Sequence, residues 1–189
     1  MNGTRVPPPV TMVLDAADAW LPARMVAVEE RLRSLVAGHG EPLAHEAGAT
    51  LAAGGKRLRP MLVLLCAGPG GGPSGIRAAT AIEMVHMATL VHDDVLDAAP
   101  LRRGRPTVVA RSGRELATAV GDLLFSRAFA ELGADGHERQ VRLLASASVA
   151  LALGELAQRR DAFDISIPAQ RYLDRCALKT GRLRAAAAR

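Results

Sequence analysis

Residues 92–107 read HDDVLDAAPLRRGRPT and place Asp93, Asp94 and Asp97 just ahead of Arg102, Arg103 and Arg105. Like charges four residues apart on a helix repel by roughly 0.2–0.5 kcal/mol, so Asp93 and Asp97 require a cation between them. The arginines require an anion. A ligand combining a divalent metal with phosphate answers both demands. On a helix expected over residues 76–98, at about 100° per residue, His86, Asp93 and Asp97 fall within roughly 40° of one another. Thr89 and Leu90 lie between them, and Asp94 is turned about a quarter circle away. Mg²⁺ characteristically takes one or two carboxylates together with phosphate oxygens and water. The apolar run MVHMATLV leading into the acids argues against an ordinary solvated helix end, because it must be buried on most sides.

A second basic cluster lies upstream in GGKRLRP, residues 54–60. It is not a Walker loop: Thr50 stands where glycine is needed and Arg57 where Ser or Thr would ligate the metal. It reads as paired glycines before a helix N-terminus, with Lys56 and Arg59 on one face and free N–H groups beside them, a suitable diphosphate site. Of the 24 basic residues, 22 are arginine; the two lysines are Lys56 and Lys179, the latter in LKTG. A compact ammonium binds phosphate differently from a planar guanidinium, so both are candidates for positions where the difference matters.

The elements that must position these groups are helical. Apolar residues recur at three- and four-residue intervals, predicting helices over 11–37, 41–53, 57–67, 76–98, 112–133, 137–160 and 168–187, with Ser74 and Ser112 as N-caps. The breaks fall at glycines and prolines, notably GPGGGPSG at 68–75, read as a loop within one bundle. Residues 1–189 are therefore read as one all-α domain, with the polar, proline-rich residues 1–10 outside its ordered part. Aromatics are only 3%, so Leu, Val, Ala and Met must build the core. Net charge is +5, yet no basic run is interleaved with aromatics, which points away from nucleic acid. No apolar stretch reaches the ~20 residues of a membrane span, and MNGTRVPPPV holds no apolar run resembling a signal peptide. Cys66 and Cys176 form no CxxC pair, and a cytoplasmic location with reduced thiols is expected.

The succession GGKRLRP, HMATLVHDDVLDAAPLRRGRPT, GDLLFSRAF, GELAQ and LKTG resembles the trans-type isoprenyl diphosphate synthases, the polyprenyl synthetase family. The resemblance implies the helical bundle of the isoprenoid synthases and a Mg²⁺-dependent condensation of isopentenyl diphosphate with an allylic diphosphate. It implies catalytic roles for Asp93, Asp94 and Asp97, with metal on Asp93 and Asp97. Lys56, Arg59, His86 and Arg103 would hold isopentenyl diphosphate; Arg102, Lys179 and Thr180 would hold the allylic diphosphate. Ala88 and Thr89, one turn before the acids, would line the chain-length pocket, and their small size resembles longer-chain synthases.

The resemblance covers only the family's N-terminal part. The family's second aspartate-rich motif follows its KT pair, whereas Asp161, Asp164 and Asp174 precede Lys179 with the wrong spacing. A bundle truncated after the KT motif is expected, with apolar surface left open to a homo- or hetero-oligomeric partner. Two functions follow: a prenyltransferase, complete only with further chain, or an inactive or regulatory member that binds diphosphate or a partner without turnover.

Overall fold

The computed structural model describes residues 8–134 and 136–189 of the protein. Among them the helices are α1 (Pro8–Ala17), α2 (Leu21–Ala37), α3 (Leu43–Ala52), α4 (Leu58–Ala67) and α5 (Gly72–Leu96). A two-residue-per-strand hairpin, β1 (Leu101–Arg102) and β2 (Arg105–Pro106), follows, then α6 (Val108–Gly133) and α7 (Glu138–Arg160). The chain closes with α8 (Ala169–Cys176), a π-helical turn (Ala177–Gly181) and α9 (Arg182–Ala187). The all-α expectation holds. The expected disorder of 1–10 concerns residues outside the described part up to position 7, while Pro8–Val10 open α1.

Several boundaries differ from expectation for identifiable reasons. The helix expected over 11–37 breaks at residues 18–20, because Pro22 can enter only the first turn of a new helix. α5 begins at Gly72 rather than residue 76: Pro73 occupies its first turn, so Ser74 lies inside and caps nothing. Likewise α6 starts at Val108, and its cap is Thr107 rather than Ser112. The Thr107 hydroxyl accepts from Ala110 N at 3.2 Å and donates to Ala99 O at 2.6 Å. Ser112 instead donates to the buried carboxylate of Glu46 at 2.8 Å.

α5 is the axis of the bundle. Ala79, Ala81, Met84, Val85 and Ala88 are fully buried along it, and α2, α4, α6, α7 and α9 pack around it. Burying each such aliphatic side chain favours folding by roughly 1.5–3 kcal/mol, which makes α5 a rigid support for the acids at its C-terminal end. α7 is long and apolar enough by length and composition to cross a membrane, a difference from the sequence reading. In the bundle its Leu144, Ala147, Leu151 and Gly154 are buried against the core.

The GGK segment is held by a charge network. Arg57 caps α4 in the left-handed region at φ 47°. Its guanidinium donates to Glu29 at 2.5 Å, Glu83 at 2.8 Å and Leu51 O at 3.2 Å. The hairpin is strapped to the same segment. Its two-residue turn, Arg103–Gly104, has positive φ at both positions as tight hairpins require; Arg103 donates to Gly54 O and Arg105 to Ala52 O. Arg57→Ala would leave Glu83, only 3% exposed, as an unpaired buried charge. We expect a loss of about 3–5 kcal/mol in chemical denaturation, as for other broken buried pairs. An unchanged midpoint would mean that Glu83 is compensated elsewhere.

Candidate active site

A cleft of about 530 Å³ opens between α5, α7 and the α8–α9 segment. α5 contributes His86, Thr89, Leu90 and Asp93; α7 contributes Glu155 and Arg159; the π turn contributes Lys179 and Thr180. The π turn reaches the cleft because α7 carries glycine opposite it. A Cβ at Gly154 would stand 2.7 Å from Lys179 N and 3.0 Å from Lys179 Cα. Gly121 on α6 plays a similar part for His92, whose ring lies where a Cβ would be and stacks on Phe125 at 5.8 Å.

At the acidic end, Asp93 is half-buried and Asp97 is exposed as the C-cap of α5. Lys179 Nζ lies 2.5 Å from Glu155 Oε2 and 3.6 Å from Asp93 Oδ2. Arg159 reaches Asp97 at 3.1 Å and Glu155 at 3.3 Å. Burial pushes the Asp93 carboxyl above its ordinary range, Lys179 opposes this, and the charges of Glu155 and Asp97 add to the rise. Asp93 thus remains short of positive charge despite its lysine. Among the described residues no three metal-ligating side chains converge, but the pair of hard carboxylates suits a Mg²⁺ whose other ligands are phosphate and water. The residues fit that ion.

Asp94 does not belong to this end. It is 5% exposed and faces a different cavity, held by Arg102 through contacts of 2.7 and 2.8 Å. Arg102, expected on the allylic diphosphate, is directed at Asp94 and does not line the main cleft. Ala88 is also displaced from its expected role: it is fully buried in the core, so of the pair only Thr89 faces the cleft. A helix turns successive residues about 100° apart, which here directs Ala88 into the core and Thr89 into the cleft. The Thr89 hydroxyl donates to His86 O at 2.7 Å.

The basic end is a recess of about 410 Å³ lined by Gly55, Lys56, Arg59, His86 and Arg103 among others. It brings together all four residues expected there. Lys56 and Arg103 are exposed, whereas Arg59 is half-buried with its Nε lacking any hydrogen-bond partner. Burial holds the Arg59 guanidinium below its ordinary value, so an anion arriving here gains an under-solvated cation. His86 lies between the two ends, lining both. Burial first, then Arg59, Arg103, Arg102 and Arg57, lower its pKa to about 3. It is neutral at physiological pH.

This shift has a testable consequence. A histidine whose folded pKa is depressed stabilises the fold above its unfolded pKa of about 6.5 and loses that contribution as pH falls toward 3. At about 1.36 kcal/mol per unit, the lost stability is on the order of 5 kcal/mol. His86→Gln should therefore flatten the stability profile between about pH 6.5 and 3 in urea titrations. A variant profile as steep as the wild type would show that other groups cause the acid sensitivity.

Glu155, Arg159, Gly154 and Glu83 carry no role in the sequence reading, although GELAQ contains two of them. A sequence pattern reveals which residues share a helix face; it does not reveal which residue another helix brings opposite.

Residues 41–189 match the family model described as Polyprenyl synthetase. The chain belongs to the polyprenyl synthetase family. It is 41% identical to heptaprenyl diphosphate synthase component 2 of Geobacillus stearothermophilus over 93% of this chain and 55% of that protein. It is 37% identical to octaprenyl diphosphate synthase of Escherichia coli over 71% of this chain and 42% of that protein. Among solved structures, a decaprenyl diphosphate synthase from Rhodobacter capsulatus superposes with a TM-score of 0.86 at 35% identity, over 94% of this chain and 55% of its own. A polyprenyl synthase from Caulobacter crescentus, complexed with calcium and isoprenyl diphosphate, gives 0.83 at 33% identity, over 95% of this chain and 54% of that one. The family's isoprenoid synthase fold is thus present, and the chain spans about half the length of these polyprenyl synthetase relatives.

Proposed function

We propose that this chain carries the first acidic cluster and the diphosphate-binding cations of a prenyltransferase, which joins isopentenyl diphosphate to an allylic diphosphate to give a polyprenyl diphosphate. One observation carries this reading: neutral His86 on α5 stands between a recess lined by cations and a cleft where acids and cations alternate. The recess suits a diphosphate without metal; the cleft suits a diphosphate with one.

In this reading Lys56, Arg59 and Arg103 bind and orient isopentenyl diphosphate, and His86, being neutral, adds no competing charge. Asp93 and Asp97 would hold Mg²⁺, which when bound supplies electrostatic stabilisation to the leaving diphosphate. Lys179 and Thr180 bind the allylic diphosphate from the opposite wall. Leu90, Phe125 and Leu151 form apolar walls that keep water from the reacting carbons. Cys66 and Cys176 are unpaired, in keeping with a cytoplasmic protein.

A second reading is a non-catalytic member that binds diphosphate or acts in a homo- or hetero-oligomer. It is favoured by the ion pairs of Lys179 and Arg159 with the cleft's own acids, and by two relatives being named component 2 of a heptaprenyl diphosphate synthase.

Titration calorimetry with each diphosphate, with and without Mg²⁺, tests the binding common to both readings. Lys56→Ala should weaken isopentenyl diphosphate about tenfold, the value of one charge-assisted contact of 1.4 kcal/mol, and leave the allylic partner within about twofold. Lys179→Ala should do the reverse. No uptake by folded wild-type protein would end the proposal. Turnover of the bound pair separates enzyme from binding subunit, and activity restored by a second subunit favours a heteromer.

A further inference from the structure

The cleft carries its own cations next to the acids, and the arrangement has a specific feature. Lys179 is 2.5 Å from Glu155 but 3.6 Å from Asp93, outside hydrogen-bond range of the acid it faces. Arg159 contacts the other oxygen of the same Glu155 at 3.3 Å. One carboxylate on α7 therefore holds both cations, one through each oxygen. Gly154, the preceding residue, brings the Lys179 backbone against α7, and this fixes the ammonium within reach of Glu155. Glu155 itself is largely enclosed, with a side chain 14% exposed, so its contacts are not a loose surface pair.

We propose that Glu155 is a positioning residue of the cleft: it holds Lys179 away from Asp93, and so keeps the carboxylate available to a divalent ion while the ammonium stays poised for phosphate. The inference rests on reading the cleft as a metal–diphosphate site. Without the Glu155 charge, the nearest carboxylate for Lys179 is Asp93. The ammonium then closes onto it, and the metal must displace an ion pair before it binds. A diphosphate arriving with its ion would draw Lys179 off Glu155 with little movement, because the lysine backbone is already seated on α7. Glu155 touches neither substrate in this scheme. It acts through Lys179 and Arg159.

The chain has only two lysines, which makes the proposal directly observable. In protein labelled with ¹³C,¹⁵N-lysine, NMR should give two side-chain signals, with exposed Lys56 as the internal reference. Glu155→Gln should move the Lys179 signal and leave that of Lys56 in place. In calorimetry, the Mg²⁺ concentration giving half-maximal binding of geranyl diphosphate should rise about tenfold. Glu155→Asp, which retains the charge, should recover part of the wild-type requirement even if the amide variant folds poorly. An unmoved Lys179 signal, an unchanged Mg²⁺ requirement, or no recovery by the aspartate variant would each overturn the proposal. Wild-type protein that binds no diphosphate would overturn the reading of the cleft instead, and the Lys179 signal would then decide alone whether Glu155 holds the ammonium.

Discussion

Asp93→Asn is expected to reduce Mg²⁺-dependent diphosphate binding about 100-fold or more while leaving the protein as stable as the wild type at neutral pH, or more so. The loss follows from removing an anionic oxygen from a two-carboxylate site; even indirect supports of metal ligands are worth 10–100-fold. The stability expectation follows from the raised pKa of Asp93, caused first by burial and then by Glu155 and Asp97 against the opposing Lys179. A carboxyl whose folded pKa lies above its unfolded value of about 3.9 favours folding fully below that value. The benefit is lost as pH rises through the folded pKa, so at pH 7 the ionised group disfavours the native state. Asparagine removes that cost, and the two proteins should converge in stability below about pH 4. Calorimetry and urea unfolding across pH check both halves. Undiminished binding would remove Asp93 from the site. A variant less stable than wild type at pH 7 would mean that the Lys179 contact outweighs burial.

The second large effect concerns packing. Gly154→Val should lower the melting temperature by about 6–12 °C and weaken allylic diphosphate binding with it. The added Cβ would meet Lys179 N at 2.7 Å, its Cα at 3.0 Å and Leu178 Cβ at 3.1 Å, and two of these are backbone atoms that no rotamer change can move. Overpacking typically costs 1–3 kcal/mol, occasionally more. At about 2–4 °C per kcal/mol for a chain of this size, the upper end gives the stated shift. Helix propensity works the other way, since glycine within a helix is about 1 kcal/mol worse than alanine, so Gly154→Ala should lose less than valine. Ser146→Val, on the exposed side of the same helix, should stay within about 2 °C. If Gly154→Val melts with the wild type, the close approach of α7 to the π turn is not required in solution.

Much of this protein was legible before any coordinates. Apolar residues at helical spacing with almost no aromatics led to an all-α bundle, and glycines and prolines marked most of the joints. Asp93, Asp97, Lys56, Arg59, His86 and Arg103 stood out as candidates because their clustering is a matter of local spacing. The acids share one face of α5, and the cations crowd the start of α4 and the hairpin. The two rare lysines were legible by contrast with 22 arginines.

Other features depend on distances between segments far apart in the chain. Arg102 and Arg103 are neighbours with the same chemistry, yet one turns to buried Asp94 and the other to Gly54 and the recess. That division is set by a hairpin turn with left-handed residues at Arg103 and Gly104. Ala88 and Thr89 were equivalent in the sequence, and packing buried one and exposed the other to the cleft. Glu155 stands 24 residues before the lysine that it holds. Helical periodicity determines which side chains share a face, because that geometry is local. Which face meets which is decided only when helices pack, since the closest approach is set by residues such as Gly154 that leave room rather than form bonds.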